Sequence, residues 1–202
     1  MTMNEEQSAF YENLGRCIAQ WSHVEDGLFQ CYMVALGPLN SILPAQAGFY
    51  AVQSPEGKLS VANSAVRFCL LEIEDRSADI AGLWKSLIKK VEKRRTRRNQ
   101  LAHFQVLMSM ENKPGRRVML RPALFNPNAP DRTPFHVAEL KVIARSFGRI
   151  STDLMAFSHG LVRHLTGDGK AGFMHERFDG LMAIYLEQQK LNNPNYPQPN
   201  LP

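Results

Sequence analysis

The sequence predicts an all-α fold: a bundle of four to five helices with a small β-hairpin inserted after the third long helix. Two observations predict it. Apolar residues recur in alternating steps of three and four along four separate long stretches, the mark of a helix with one buried face. Strict alternation, the mark of a strand, is confined to one short segment that holds a turn. A chain of 202 residues with 44% hydrophobic content has room for one compact domain. We expect that domain over residues 1–192, with the hairpin and its following loop at about 105–134, and a proline-rich tail over 193–202.

From about Glu5 to Leu36, Phe10, Leu14, Cys17, Trp21, Val24, Leu28, Cys31 and Ala35 form a single stripe, and Gly37-Pro38 stops the helix. Leu39 to Pro55, punctuated by Pro44 and Gly48, reads as irregular. Ser54-Pro55-Glu56 then reads as a helix start, serine capping and proline in the first turn. Leu59, Ala62, Val66, Cys69 and Ile73 carry that second stripe to an end near Asp75.

A third helix begins around Ser77 with Ile80, Trp84, Leu87 and Val91 on its stripe. Continuing the same count lands on Arg94, Arg98 and Leu101, so arginines occupy positions where the pattern places core residues. A guanidinium taken from water needs a carboxylate, a solvent-filled cleft or an anionic ligand, unless the helix simply leaves the core there.

After His103 the pattern becomes alternating. Val106 to Met110, a turn at Asn112-Lys113-Pro114-Gly115, and Val118 to Leu120 predict a hairpin against the end of the third helix. Pro122 to Pro134 reads as loop. Val137, Leu140, Ile143, Phe147, Ile150, Leu154, Phe157, Leu161 and His164 mark a fourth long helix ended by Gly167-Asp168-Gly169. A short helix from about Glu176 to Leu191 precedes the tail.

The net charge of +5 is modest, yet Lys85 to Arg98 holds eight Lys or Arg against one Glu. Such a patch favours a polyanion. The acidic start MTMNEEQSAF is unlike a secretory leader, and no apolar run is long enough to span a bilayer, so we expect a soluble, cytoplasmic protein with no membrane partner. The three cysteines have no paired metal spacing. On one helix, Cys17 and Cys31 would lie roughly 21 Å apart, beyond disulfide reach. They read as core residues. The other histidines, His23, His136, His159, His164 and His175, show no ligand spacing, so no metal and no cofactor is expected.

The segment that can carry chemistry is Lys89 to Phe104, where dense positive charge ends in Arg98, Asn99 and His103. An imidazole can take the proton from a ribose 2′-hydroxyl or give one to the departing 5′-oxygen. A guanidinium can hold the phosphate through paired donors. Asn99 and His103 share a helical face, whereas Arg98 and His103 stand about 140° apart on an ideal helix. They converge if the arginine reaches round, if the helix frays at Ala102, or if a second subunit supplies one of them. His103 reads equally as a structural histidine capping its own helix end. Arg94, Arg95 and Arg97 read as an electrostatic apron for a phosphate backbone, or as a solvated charge run. Glu25, four residues after Trp21, reads as a solvated helix carboxylate or as one facing inward in support of the site.

Arg98-Asn99-Gln100-Leu101-Ala102-His103 resembles the R-N-x-x-A-H signature of the HEPN superfamily, which stands at the end of a helix in an all-α bundle. Trp21-Ser22-His23-Val24-Glu25 on the long first helix is similar to the opening of several HEPN-like families. The resemblance spans about Glu5 to Phe104. It implies metal-independent cleavage of single-stranded RNA by a composite site across a homodimer, in stress response or defence. By that resemblance Arg98 binds phosphate, His103 is the acid or base, and Asn99 orients one of them. It equally implies an alternative, because many HEPN members are non-catalytic modules that bind nucleotide, nucleic acid or a protein partner such as a cognate antitoxin. A DNA-binding bundle is a weaker third reading, since no helix-turn-helix is recognisable.

Overall fold

A computed structural model describes residues 3–37, 42–71, 77–109, 117–122, 133–166 and 173–192. The fold class is all-α with one small antiparallel hairpin. Its elements are α1 (Met3–Leu36), α2 (Ile42–Ala51), α3 (Pro55–Leu71), α4 (Ser77–His103), β1 (Gln105–Met108), β2 (Val118–Arg121), α5 (Val137–Thr166) and α6 (Phe173–Asn192). The chain divides into two compact units, one from Met1–Asp26 with Lys90–Thr152, the other from Gly27–Lys89 with Asp153–Pro202. The divisions fall inside α1 and α5 and within α4. Among the described residues no helix is long and apolar enough to cross a membrane.

The predicted helix starts and stops are met by local chemistry. Gly37 adopts φ 82°, a left-handed conformation that glycine takes without a Cβ penalty, and its N–H donates to Val34 O at 3.1 Å. Ser54 Oγ accepts the Gly57 N–H at 3.0 Å, the cap expected at the head of α3. At the head of α5 the His136 N–H donates to Glu139 Oε2 at 2.9 Å, one half of a capping box.

Leu39 to Pro55 is not irregular throughout, because α2 occupies Ile42–Ala51. Pro44 sits in its first turn, where the N–H it lacks has no helical partner anyway. Phe49 is fully buried and meets Phe29, Tyr32 and Tyr50 at ring-centroid distances of 5.3–5.6 Å, so an aromatic cluster offsets weak local propensity. The second stripe is described as far as Leu71, and the expected end near Asp75, with Ile73, lies outside the described residues. The hairpin turn at 112–115, most of the 122–134 loop, the 167–169 stop and the 193–202 tail also lie outside them.

In the first unit, Phe10, Cys17, Trp21 and Val24 of α1 are buried, as are Leu140, Phe147 and Ile150 of α5. Trp21 packs edge-on against Phe147 at 5.2 Å, and Cys17 Sγ donates to Leu140 O at 3.2 Å. The strands pair Gln105 with Arg121 and Met108 with Val118. Leu120 bonds in both directions to Phe135 at 2.9 Å, and Phe135 stacks on Phe104 at 5.6 Å, which joins the hairpin to the end of α4. Glu6 is 1% exposed, and its Oε1 accepts the Arg117 N–H at 2.7 Å, fixing the strand's entry to the first turns of α1.

In the second unit, Trp84 lies against Phe157 at 4.9 Å and donates its indole N–H to Asn63 Oδ1 at 3.0 Å. Cys31 Sγ donates to Leu154 O at 3.4 Å. Helix α6 rests on α5 through buried Phe178, which occupies the notch left by Gly160. Arg163 grips Asp179 and lies over that ring at 5.8 Å, and Arg177 grips Asp153.

Candidate functional site at the end of α4

The predicted site residues all lie in the first unit, on α1 and on the last turns of α4. His103 is the final residue of α4 and is exposed, as is Asn99 one turn before it. Arg98 is half-buried, and its Nη1 donates to Asn99 Oδ1 at 3.4 Å. Neighbouring side chains thus join the guanidinium to the amide, and the amide shares a helical face with the imidazole. Among the described residues no three His, Cys, Asp or Glu side chains cluster as metal ligands.

The remaining arginines divide by their partners. Arg94, the first to continue the apolar stripe, is half-buried and spans to α5, its Nε donating to Ser146 O at 3.0 Å and its Nη1 to Lys90 O at 3.0 Å. A main-chain carbonyl therefore joins the partners foreseen for a buried guanidinium. Arg97 donates to Oε1 of buried Gln100 at 2.9 Å and lies over the Phe135 ring at 5.3 Å. Arg95 is half-buried on the same turn. Glu25 faces inward: its Oε1 accepts the Trp21 indole N–H at 2.7 Å, which holds the ring that packs on Phe147.

Sequence reasoning missed one concave feature elsewhere in the same unit. A cleft of about 440 Å³ opens between α1 and α5 in the first unit, lined by Asn13, Arg16 and Gln20 from α1 and by Lys141, Ala144, Arg145 and Gly148 from α5. The signal was present in the spacing. Positions 13, 16 and 20 share one helical face, and so do 141, 144, 145 and 148. Each set reads as an ordinary polar helix face until the two helices are brought together.

No protein-family model, curated protein or solved structure matches this chain.

Proposed function

We propose that the protein is a metal-independent endoribonuclease of HEPN type, cutting single-stranded RNA as a homodimer. What supports the reading is one arrangement: an exposed imidazole closing α4, an exposed amide one turn earlier, and a guanidinium bonded to that amide. In that arrangement His103 takes the proton of a ribose 2′-hydroxyl, and the resulting oxygen attacks the adjacent phosphorus. Arg98 stabilises the charge that develops on the phosphoryl oxygens. The 5′-oxygen leaves with a proton, giving a 2′,3′-cyclic phosphate and a 5′-hydroxyl. The second acid or base comes from His103 of the other copy, as a two-fold axis would supply. Arg95, the basic residues before it and the exposed rim of α4 guide the strand.

The test is RNA degradation in excess chelator by wild type and by His103→Ala, with the association state measured by sedimentation. Chelator-resistant cleavage lost in the variant upholds the reading. Equal inertness of the two proteins overturns it.

One observation favours a second reading. Arg94 and Arg97 hold main-chain and side-chain acceptors of their own unit, as arginines of a structural module do. A non-catalytic helical module that binds nucleotide, nucleic acid or a protein partner would then bind a polyanion with salt dependence while cutting nothing.

A further inference from the structure

The cleft between α1 and α5 has the composition of an anion site. Three cations, Arg16, Lys141 and Arg145, stand at its wall, and among the described residues no carboxylate lines it. Glu12 on α1 is bound to Arg16 at 2.7 Å in an exposed pair. Among the described residues Arg145 spends only its Nε, on Lys141 O at 3.3 Å, and its terminal nitrogens can meet another acceptor. Ala144 and Gly148 keep the α5 side low. A Cβ at Gly148 would lie 2.7 Å from Gln20 Oε1, so the absent side chain is what lets the Gln20 amide lie across the cleft.

The amides add a second kind of demand. Asn13 is 4% exposed and donates Nδ2 to Ala9 O at 2.7 Å, which fixes the orientation of its amide because a carbonyl can only accept. Its Oδ1 is then buried with no hydrogen-bond partner among the described residues. A buried acceptor without a donor costs about 1–3 kcal/mol. Anion-binding cations beside amide acceptors suit a ligand that carries both a phosphate and hydroxyl donors. A volume of about 440 Å³ suits a small molecule, within the usual range of about 300–1,000 Å³.

We infer that this cleft binds a small phosphate monoester on a hydroxylated carrier, a mononucleotide or a sugar phosphate, with Arg145, Lys141 and Arg16 on the phosphate and Asn13 and Gln20 on the hydroxyls. The site is independent of the RNA-cleavage reading, since none of its residues belongs to the Arg98, Asn99 and His103 set.

Calorimetric titration of the full chain with AMP, ribose 5-phosphate and adenosine tests it. AMP and ribose 5-phosphate bind, adenosine binds at least about tenfold more weakly, and raised salt weakens the first two. AMP binding tighter than ribose 5-phosphate points to a nucleotide, and equal binding to a sugar phosphate. The exposed double substitution Lys141→Gln with Arg145→Gln, checked for native circular dichroism and unfolding midpoint, weakens AMP by about tenfold or more. His103→Ala binds AMP as wild type does, so a failed nuclease reading leaves this result standing. The inference is overturned if neither phosphate binds, if adenosine matches AMP, or if the folded double variant binds unchanged.

Discussion

Arg94 on α4 reaches Ser146 on α5 through one hydrogen bond, Nε to the main-chain carbonyl at 3.0 Å, at the point where the apolar stripe of α4 turns cationic. The residue that interrupts the hydrophobic pattern is thus itself tied to the neighbouring helix and to its own through its donors. Arg94→Met keeps the stem and removes the donors. We expect a loss of about 1 kcal/mol in urea unfolding, the low end for a charged donor because the side chain is only half-buried. No change in unfolding free energy would show that the tether carries none.

Glu25 and Trp21 make a prediction that separates support from catalysis. Glu25→Ala strands a largely buried indole N–H that now meets Oε1 at 2.7 Å. Stability should fall by about 1–2 kcal/mol and the tryptophan emission should shift. RNA cleavage per folded molecule should stay within about twofold of wild type. A larger loss of cleavage in fully folded protein would place the carboxylate in the reaction.

Two glycines face aromatic rings in the second unit, and they should respond differently to alanine. A Cβ at Gly160 would collide with the body of the Phe178 ring, which is 5% exposed and has nowhere to move. At Gly82 it would meet the hydroxyl end of Tyr185, a half-buried side chain that can swing outward. Gly160→Ala should cost about 1–3 kcal/mol by overpacking, and Gly82→Ala less than about 1 kcal/mol. Thermal unfolding midpoints of the two variants decide, and the reverse order would refute this account.

Burial raises the Cys17 thiol from an ordinary 9.0 to about 11, and it raises Cys31 as well. A thiol whose native pKa lies above its unfolded value keeps its proton in the native state after the unfolded chain has lost it. Stability from each is whole below pH 9 and declines as pH rises above it, for Cys17 until about 11. The slope should be about 1.4 kcal/mol per pH unit for each group. Urea midpoints measured from pH 8 to 10.5 should therefore fall, and Cys17→Ala should flatten the curve by one group's share.

Of the six described helices, four were legible from apolar stripes and α6 only as a short helix before the tail, while the serine at position 54 and the glycine at 37 mark helix ends without reference to anything distant. α2 was hidden for a physical reason: Pro44 and Gly48 lower its own propensity, and its stability comes from Phe29 and Tyr32, which a local reading cannot place beside Phe49. The end of α4 was legible as a charged helix terminus with an exposed imidazole. The partners of its arginines were not, since Ser146 O is a main-chain atom that every residue carries. The cleft was invisible for a similar reason, its two faces lying more than a hundred residues apart and each looking solvated alone.

The hold of Glu6 on the Arg117 amide spans 111 residues, while the strand pairing it positions is local. Closing so long a loop is entropically slow compared with zipping a short hairpin. The two strands can therefore find each other early in folding and still lack a fixed seat until the amino-terminal turns of α1 arrive. Changes near residue 6 should thus register as late-stage assembly defects at the hairpin, while α1 itself still forms.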